Sequence, residues 1–494
     1  MPSRVEKALG LVGFALLVAL ALLACRQVAA RYTARYLEQQ AGAIETALEA
    51  GRTPWQWSPR SRHDLVAQRA FGNAQITTAM NGLRLTSRDG QPFELGWPID
   101  RGLDLAHWPV LAPTRAPGTP VLLSIVWSAE GRPSCVSKPI TWADPVARID
   151  LRTLSWQATP AEDCTLPARA DMLRLRITAS TGSELVLRHV ALERPQAVAQ
   201  PGVSRAVLLD PARWPRQRAA LAASAEPSPL LQTPAGASAE QMLAWRDRVL
   251  ALRPAARVVP AGPRPGAAAA IVPVAAEWMA LAGYLCGLAW LARRPAGAAI
   301  TLAMALAGPL WVIAGLRWGL HASVPAAVAF AAGTSFAAWT SWRQRSHPWH
   351  WIGSWHSWSW WLPLALVPVA GGLCILAGNA WTPPTTGRAL TYLGWAGFQQ
   401  WLILAFILPR FERLLPATRW AVLAAATTFA ALHTPNGALM QLCFAAELWW
   451  AWCFIRSRSV LPVALAHAAC ALLVGAGLVG QGLRSLEVSA RFFF

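Results

Sequence analysis

The sequence predicts a polytopic α-helical membrane protein of about nine spans, with a β-sandwich or jelly-roll-like domain held outside the cytoplasm in its N-terminal half. Three observations lead there. Asp is absent after Asp247, and beyond it Glu277, Glu412, Glu447 and Glu487 are the only side-chain carboxylates, too few to hydrate a soluble fold of that length. Apolar runs of membrane-spanning length recur through the same stretch, with Arg gathered at alternate ends. Residues 70 to 195, in contrast, alternate apolar and polar positions between turn sequences, which is the period of strands wetted on one face.

Composition narrows the function classes. Of 494 residues, 54% are hydrophobic and 14% charged, and it is the uneven placement of the charge that argues for a bilayer. The formal charge of +19 is almost all scattered Arg, with no basic stripe interleaved with aromatics, so no nucleic-acid partner is expected. Arg at the ends of apolar segments and 28 Trp fit charge retention on the cytoplasmic side and rings at headgroup level, which makes the lipid bilayer the first partner.

In chain order, residues 1–25 read as a signal anchor: Arg4 and Lys7 precede the uncharged run from Ala8 to Cys25. Leu22-Leu23-Ala24-Cys25 loosely resembles a lipoprotein cleavage box, but Arg26 to Ala50 continues as an amphipathic helix without a small-residue cleavage site, which favours a retained anchor. Residues 26–195 hold that helix and the β domain. Leu173, Leu175 and Ile177 alternate with Arg174, Arg176 and Thr178; after the turn Ser180-Thr181-Gly182-Ser183, a second strand from Glu184 to Leu192 completes a hairpin. Val121 to Ser128 and Ala147 to Ala158 supply further strands, and Cys135 and Cys164 are placed to form a disulfide in an oxidising compartment. No aromatic platform marks a carbohydrate site. Residues 196–267 form a Pro/Ala/Arg-rich connector with one helix, opened by the capping box Ser238 and Gln241, carrying the stripe Met242, Trp245, Val249 and Leu252, and ending before Pro254.

The helical domain occupies 268–494, with apolar runs near 268–292, 297–316, 321–342, 360–380, 388–409, 419–434, 437–455 and 460–481. With the N-terminus inside, Arg293, Arg294, Arg343, Arg345, Arg410, Arg413, Arg419, Arg456 and Arg458 fall in cytoplasmic loops, against only Arg317 and Arg388 opposite. That bias predicts a multi-pass protein of a bacterial-type inner membrane, its C-terminus outside together with residues 26–267. His347, His350 and His356 lie among Trp349, Trp351, Trp355, Trp358, Trp360 and Trp361 with no carboxylate or Cys nearby, a pattern of an interfacial loop rather than a metal site; no cofactor is expected.

Polar groups carried into hydrocarbon are functional candidates. They are Gln399, Gln400, His433, Glu447 and His467, on four successive spans. Phe429-Ala430-Ala431-Leu432-His433 and, after Ser459-Val460-Leu461-Pro462, His467 match in order and spacing two motifs of the CAAX protease and bacteriocin-processing (CPBP, or Abi) intramembrane peptidases, which the C-terminal half therefore resembles. That family carries Glu-Glu-x-x-x-Arg, then Phe-x-x-x-His, then His-x-x-x-Asn or Asp. Here Gln399 and Gln400 replace both glutamates, Leu404 stands at the Arg position, and Ala471 at the Asn or Asp position.

The resemblance implies an intramembrane endopeptidase in which Glu activates water, His assists, and Asn or His steadies the oxyanion. A Gln amide takes no proton, so the base is either His433 or Glu447, with the glutamines and His467 orienting water and oxyanion. Two histidines lack a third ligand for a metal. A peptide or membrane-protein substrate follows from this reading. The alternative is a noncatalytic membrane scaffold that binds an envelope partner through the outer sandwich. A secondary transporter is disfavoured, since no internal repeat or paired broken helices are present.

Overall fold

The computed structural model describes residues 4–99, 102–129, 134–158, 163–195, 206–224, 226–262, 274–294, 296–319, 322–344, 349–378, 384–480 and 482–494. They fall into two compact units: Met1–Arg35, Ala237–Leu243 and Ala269–Phe494 in one, Tyr36–Gly236 and Ala244–Ala268 in the other. The first helix, α1 (Arg4–Glu49), runs unbroken through Cys25, which is buried, so the Leu22–Cys25 segment is regular helix.

The β-rich unit is a sandwich of two antiparallel sheets. One orders the strands at 149–150, 110–115, 184–193, 82–87 and 74–79, with 56–57 added on 184–193; the other orders 163–164, 156–158, 135–137, 121–128, 172–178 and 93–96, with 140–142 on 121–128. Leu173, Leu175 and Ile177 face inward with Leu123, Ile125 and Trp127, while Arg174 and Arg176 meet Glu94 outside at 3.1 and 2.7 Å, as the alternation requires. Cys135 and Cys164 are disulfide-bonded across 29 residues of sequence.

Two expectations need correction. The strands at 172–178 and 184–193 do not pair as a hairpin: the first pairs with 121–128 and 93–96, the second with 82–87 and 110–115, so Ser180–Ser183 carries the chain from one sheet to the other. Alternation fixes which face is buried, and both partners satisfy it. The strand expected from Ala147 to Ala158 is broken at Leu151–Thr153, where the Asp150 carboxylate accepts the Arg152 N–H and turns the chain.

The connector also holds more than one helix. Strands at 207–208, 230–232 and 257–259 form a parallel sheet, crossed by α2 (Trp214–Ala223) and α3 (Ala239–Leu252). Leu209, Leu221, Leu231, Trp245, Val249 and Val258 make its core, and Arg253 donates to the carbonyls of Leu221, Ser224 and Glu226. The capping box is present: Ser238 N–H donates to Gln241 Oε1 at 2.9 Å, and Gln241 N–H to Ser238 Oγ at 3.3 Å.

The helical unit continues with α4 (Val274–Arg293), α5 (Ala298–Ile313) and α6 (Val324–Gln344). Next come α7 (Trp358–Trp361) and α8 (Leu366–Ala377), joined by a 3₁₀ turn. A π-helical turn at Trp401–Ile407 joins α9 (Thr386–Gln400) to α10 (Leu408–Leu414), and α11 (Thr418–Ala431), α12 (Gly437–Ser457) and α13 (Leu461–Gly477) complete the unit. Among the described residues five helices are long and apolar enough to cross a membrane: Gly10–Glu49, Ala275–Arg293, Trp358–Ala377, Thr386–Leu414 and Gly437–Ser457. This is a membrane protein with a sandwich domain. Local chemistry sets the ends that matter below: the Asn436 side chain accepts the Leu439 N–H to start α12, Arg458 in the left-handed region stops it, and Pro462 sits in the first turn of α13.

Arg410, expected in a cytoplasmic loop, is instead buried in α10, donating to the Phe406 carbonyl at 2.7 Å and the Thr340 hydroxyl at 3.4 Å. Spacing to the nearest apolar run cannot tell a helix end from the loop after it. The Trp-rich segment is held by its backbone, with His350 N–H donating to the Arg458 carbonyl and Val460 N–H to that of His350, while Trp351, Trp355, Trp358 and Trp361 are exposed. His347 and Arg345 lie outside the described residues; among the described ones no group of three or more His, Cys, Asp or Glu is placed to hold a metal.

Candidate functional site

The four carboxylates of the helical domain separate into two kinds. Glu277 pairs with Arg317 at 2.7 Å, Glu412 with Arg458 at 3.0 Å and Glu487 with Arg491 at 2.9 Å. Glu447 meets no cation among the described residues; a neutral amide, Gln400 Nε2, donates to its Oε2 at 3.0 Å. Glu447 sits ten residues from either end of the 21-residue α12, about 15 Å along the axis each way at a rise of 1.5 Å, which is the half-thickness of a bilayer core. An acid carried to that depth without a counter-charge is costly to keep for packing alone.

Four helices bring the polar groups together. Gln400 ends α9 and is fully buried, and its Nε2 lies 3.0 Å from Glu447 Oε2 and 3.2 Å from His467 Nδ1 on α13. His433, just past the end of α11, bonds through Nδ1 to the Phe429 carbonyl at 2.8 Å. The Phe429 ring touches both imidazoles edge-on, with centroids 4.8 Å from His433 and 5.5 Å from His467. On the other side Trp450 lies against His467 at 5.2 Å. Oε1 of Gln400 and Oε1 of Glu447 are buried with no hydrogen-bond partner in the protein. Acceptors without donors in an apolar interior, here on two hydrogen-bonded residues, call for a small polar guest, a water or a substrate N–H.

Of the five residues singled out in the sequence, Gln400, Glu447 and His467 thus form one hydrogen-bonded set, and His433 joins it across the Phe429 ring. Gln399 does not share it. Neighbours on a helix point about 100° apart, so burying Gln400 turns Gln399 to a half-exposed face. Leu404, at the family's Arg position, is fully buried in the apolar core within the π-helical turn, and Ala471 is half-buried. Trp450 was not anticipated as part of the site, although its place three residues after Glu447 puts it on the same helical face.

Residues 388–473 match the family described as Type II CAAX prenyl endopeptidase Rce1-like, a segment that begins in α9, ends in α13 and contains all five polar residues. No curated protein matches the chain. Among solved structures the chain is similar to a family 11 carbohydrate-binding module from Clostridium thermocellum, in complex with a beta-1,3-1,4-mixed-linked tetrasaccharide. That match has 15% identity and covers 25% of this chain and 86% of the other, at a TM-score of 0.20, too low to bear on fold or ligand.

Proposed function

We propose that the Rce1-like C-terminal half of this CPBP-family chain hydrolyses a peptide bond within the bilayer, with Glu447 supplying the base that the family draws from its glutamate pair. The observation that carries this reading is the acid at mid-helix depth with no counter-charge among the described residues, held at Oε2 by Gln400 and unpartnered at Oε1. In the reaction, the Glu447 carboxylate takes one proton from a water as its oxygen bonds to the peptide carbonyl carbon. The resulting oxyanion is met by the His467 imidazole. When the C–N bond breaks, the proton held on Glu447 passes to the leaving amine, giving a new carboxyl end and a new amino end.

The finer topology belongs to the same proposal: nine crossings of a bacterial-type inner membrane, the N-terminus inside, and residues 26–267 outside as a module that recognises a partner. Support comes from the Arg bias at alternate helix ends and from the Cys135–Cys164 disulfide, a bond of oxidising compartments. Cysteine labelling at position 456 should report the cytoplasm and at 385 the opposite side.

The test of activity is an N-terminal proteomic comparison of native membranes containing the wild-type protein or its Glu447→Gln, His433→Ala or His467→Ala variants at matched levels. Cleavage products seen with wild type and lost with Glu447→Gln are the expected result. If every product persists in all three folded variants, the noncatalytic alternative, a membrane scaffold, takes its place. The absence of both family glutamates, of the motif Arg and of the final Asn or Asp favours that second reading.

A further inference from the structure

We propose that Gln400 is a positioning residue that fixes the His467 imidazole in the tautomer opposite to that of His433, so that His433 presents a lone pair and His467 an N–H. The proposal deepens the peptidase reading, but its evidence and its test do not depend on turnover.

The argument uses only what each partner can do. The atom facing His433 Nδ1 is a backbone carbonyl oxygen, which accepts and never donates. The proton of neutral His433 is therefore on Nδ1, and Nε2 carries the lone pair. The atom facing His467 Nδ1 is the Gln400 amide nitrogen, which donates and never accepts. His467 therefore accepts at Nδ1 and carries its proton on Nε2. With Glu447 as the carboxylate that the peptidase reading requires, what orients the amide is the second of its two N–H bonds, to Glu447 Oε2: turning the amide over would set its carbonyl oxygen against a carboxylate oxygen at 3.0 Å.

One neutral amide thus links an acid on α12 to a tautomer on α13. The orphaned Oε1 atoms of Gln400 and Glu447 add two acceptors to the same space. A site with an acceptor at His433, a donor at His467 and two free acceptors between helices suits a water whose protons point at acceptors, beside a carbonyl whose oxygen receives the His467 N–H.

A glutamate at position 400 could not do this in the same way, because a carboxylate facing His467 Nδ1 accepts a proton rather than donating one. The experiment is ¹⁵N NMR of the full chain in lipid nanodiscs, with selectively ¹⁵N-labelled histidine and with His433 and His467 assigned by their His→Gln variants. The expected spectrum has His433 protonated at Nδ1 and His467 at Nε2. Gln400→Glu should move the His467 proton to Nδ1 and leave His433 as it was; Gln400→Leu should leave His467 with no tautomer preference imposed by the protein. A wild-type His467 protonated at Nδ1, or a His467 signal unmoved by Gln400→Glu in a folded protein, overturns the proposal. Cleavage products that persist in Glu447→Gln, with these spectra as expected, would instead count against Glu447 as base, so the two readings fail separately.

Discussion

Removing the disulfide should destabilise the β-rich unit by about as much as a large-to-small truncation in its core. Cys135 and Cys164 are 29 residues apart in sequence. Closing a loop of that length withdraws about 12 cal/mol/K from the unfolded chain, or roughly 3.5 kcal/mol at 25 °C. A unit of about 150–250 residues loses roughly 2–4 °C in Tm per kcal/mol, so the double variant Cys135→Ser/Cys164→Ser should melt about 7–14 °C lower. Changing both residues avoids a stray thiol. The transition can be read from tryptophan fluorescence in detergent, because Trp156 pairs in register with Cys164 and packs edge-on against Trp127 at 6.0 Å, so the probe sits at the perturbed strand. A drop smaller than about 2 °C, or alkylation of both cysteines in unreduced native membranes, would refute the reasoning and with it one support for the outer placement of this unit.

Two further outcomes follow from named pairs. Glu412→Gln breaks a two-pronged pair in which Arg458 donates to both carboxylate oxygens at 3.0 Å, and with both side chains mostly buried it should lower stability by about 1–3 kcal/mol in thermal or denaturant unfolding. An unchanged midpoint would mean that the pair is solvated. In the sandwich, burial holds the His189 imidazole below its ordinary value, opposed by the nearby Glu193, while its Nδ1 lies 2.9 Å from Ser58 Oγ. As pH falls below about 6.5 the unfolded chain takes up a proton first. Stability should therefore decline with pH through that range until the folded imidazole is protonated as well, and His189→Gln should flatten that limb of the profile.

The membrane half was legible because its signals are long. Asp247 as the last Asp, four scattered glutamates and repeated apolar runs are properties of tens of residues, and no single misplacement hides them. The polar set was legible for a related reason: Gln400, Glu447 and His467 are conspicuous only against hydrocarbon-like neighbours. What escaped was settled at shorter range or by tertiary partners. Strands of two or three residues, such as Val207–Leu208 and Arg257–Val259, are below the length at which a period exists, and Pro- and Ala-rich flanks make them read as linker. Glu184–Glu193 has the right alternation for either sheet, so its sequence could not name its neighbours. Arg410 looked like loop charge because a deep Arg bonded to a helix carbonyl and a Thr hydroxyl on another helix leaves no local trace.

Gln400 is better understood together with Glu447 than by itself. Two carboxylates 3 Å apart in an apolar interior cannot both be ionised, so one must hold a proton or find a cation. The other three acids of the domain have each found an Arg; near Glu447 the chain offers an amide instead. A carboxylate at 400 would compete with Glu447 for the same proton, whereas the amide donates to it and still has an N–H for His467. Position 399 feels none of this, since its side chain turns to another face, and its Gln carries no comparable constraint. The chemistry of the site therefore depends on one acid on α12 and one amide on α9 as a matched pair, and a change at either residue alters what the other can do.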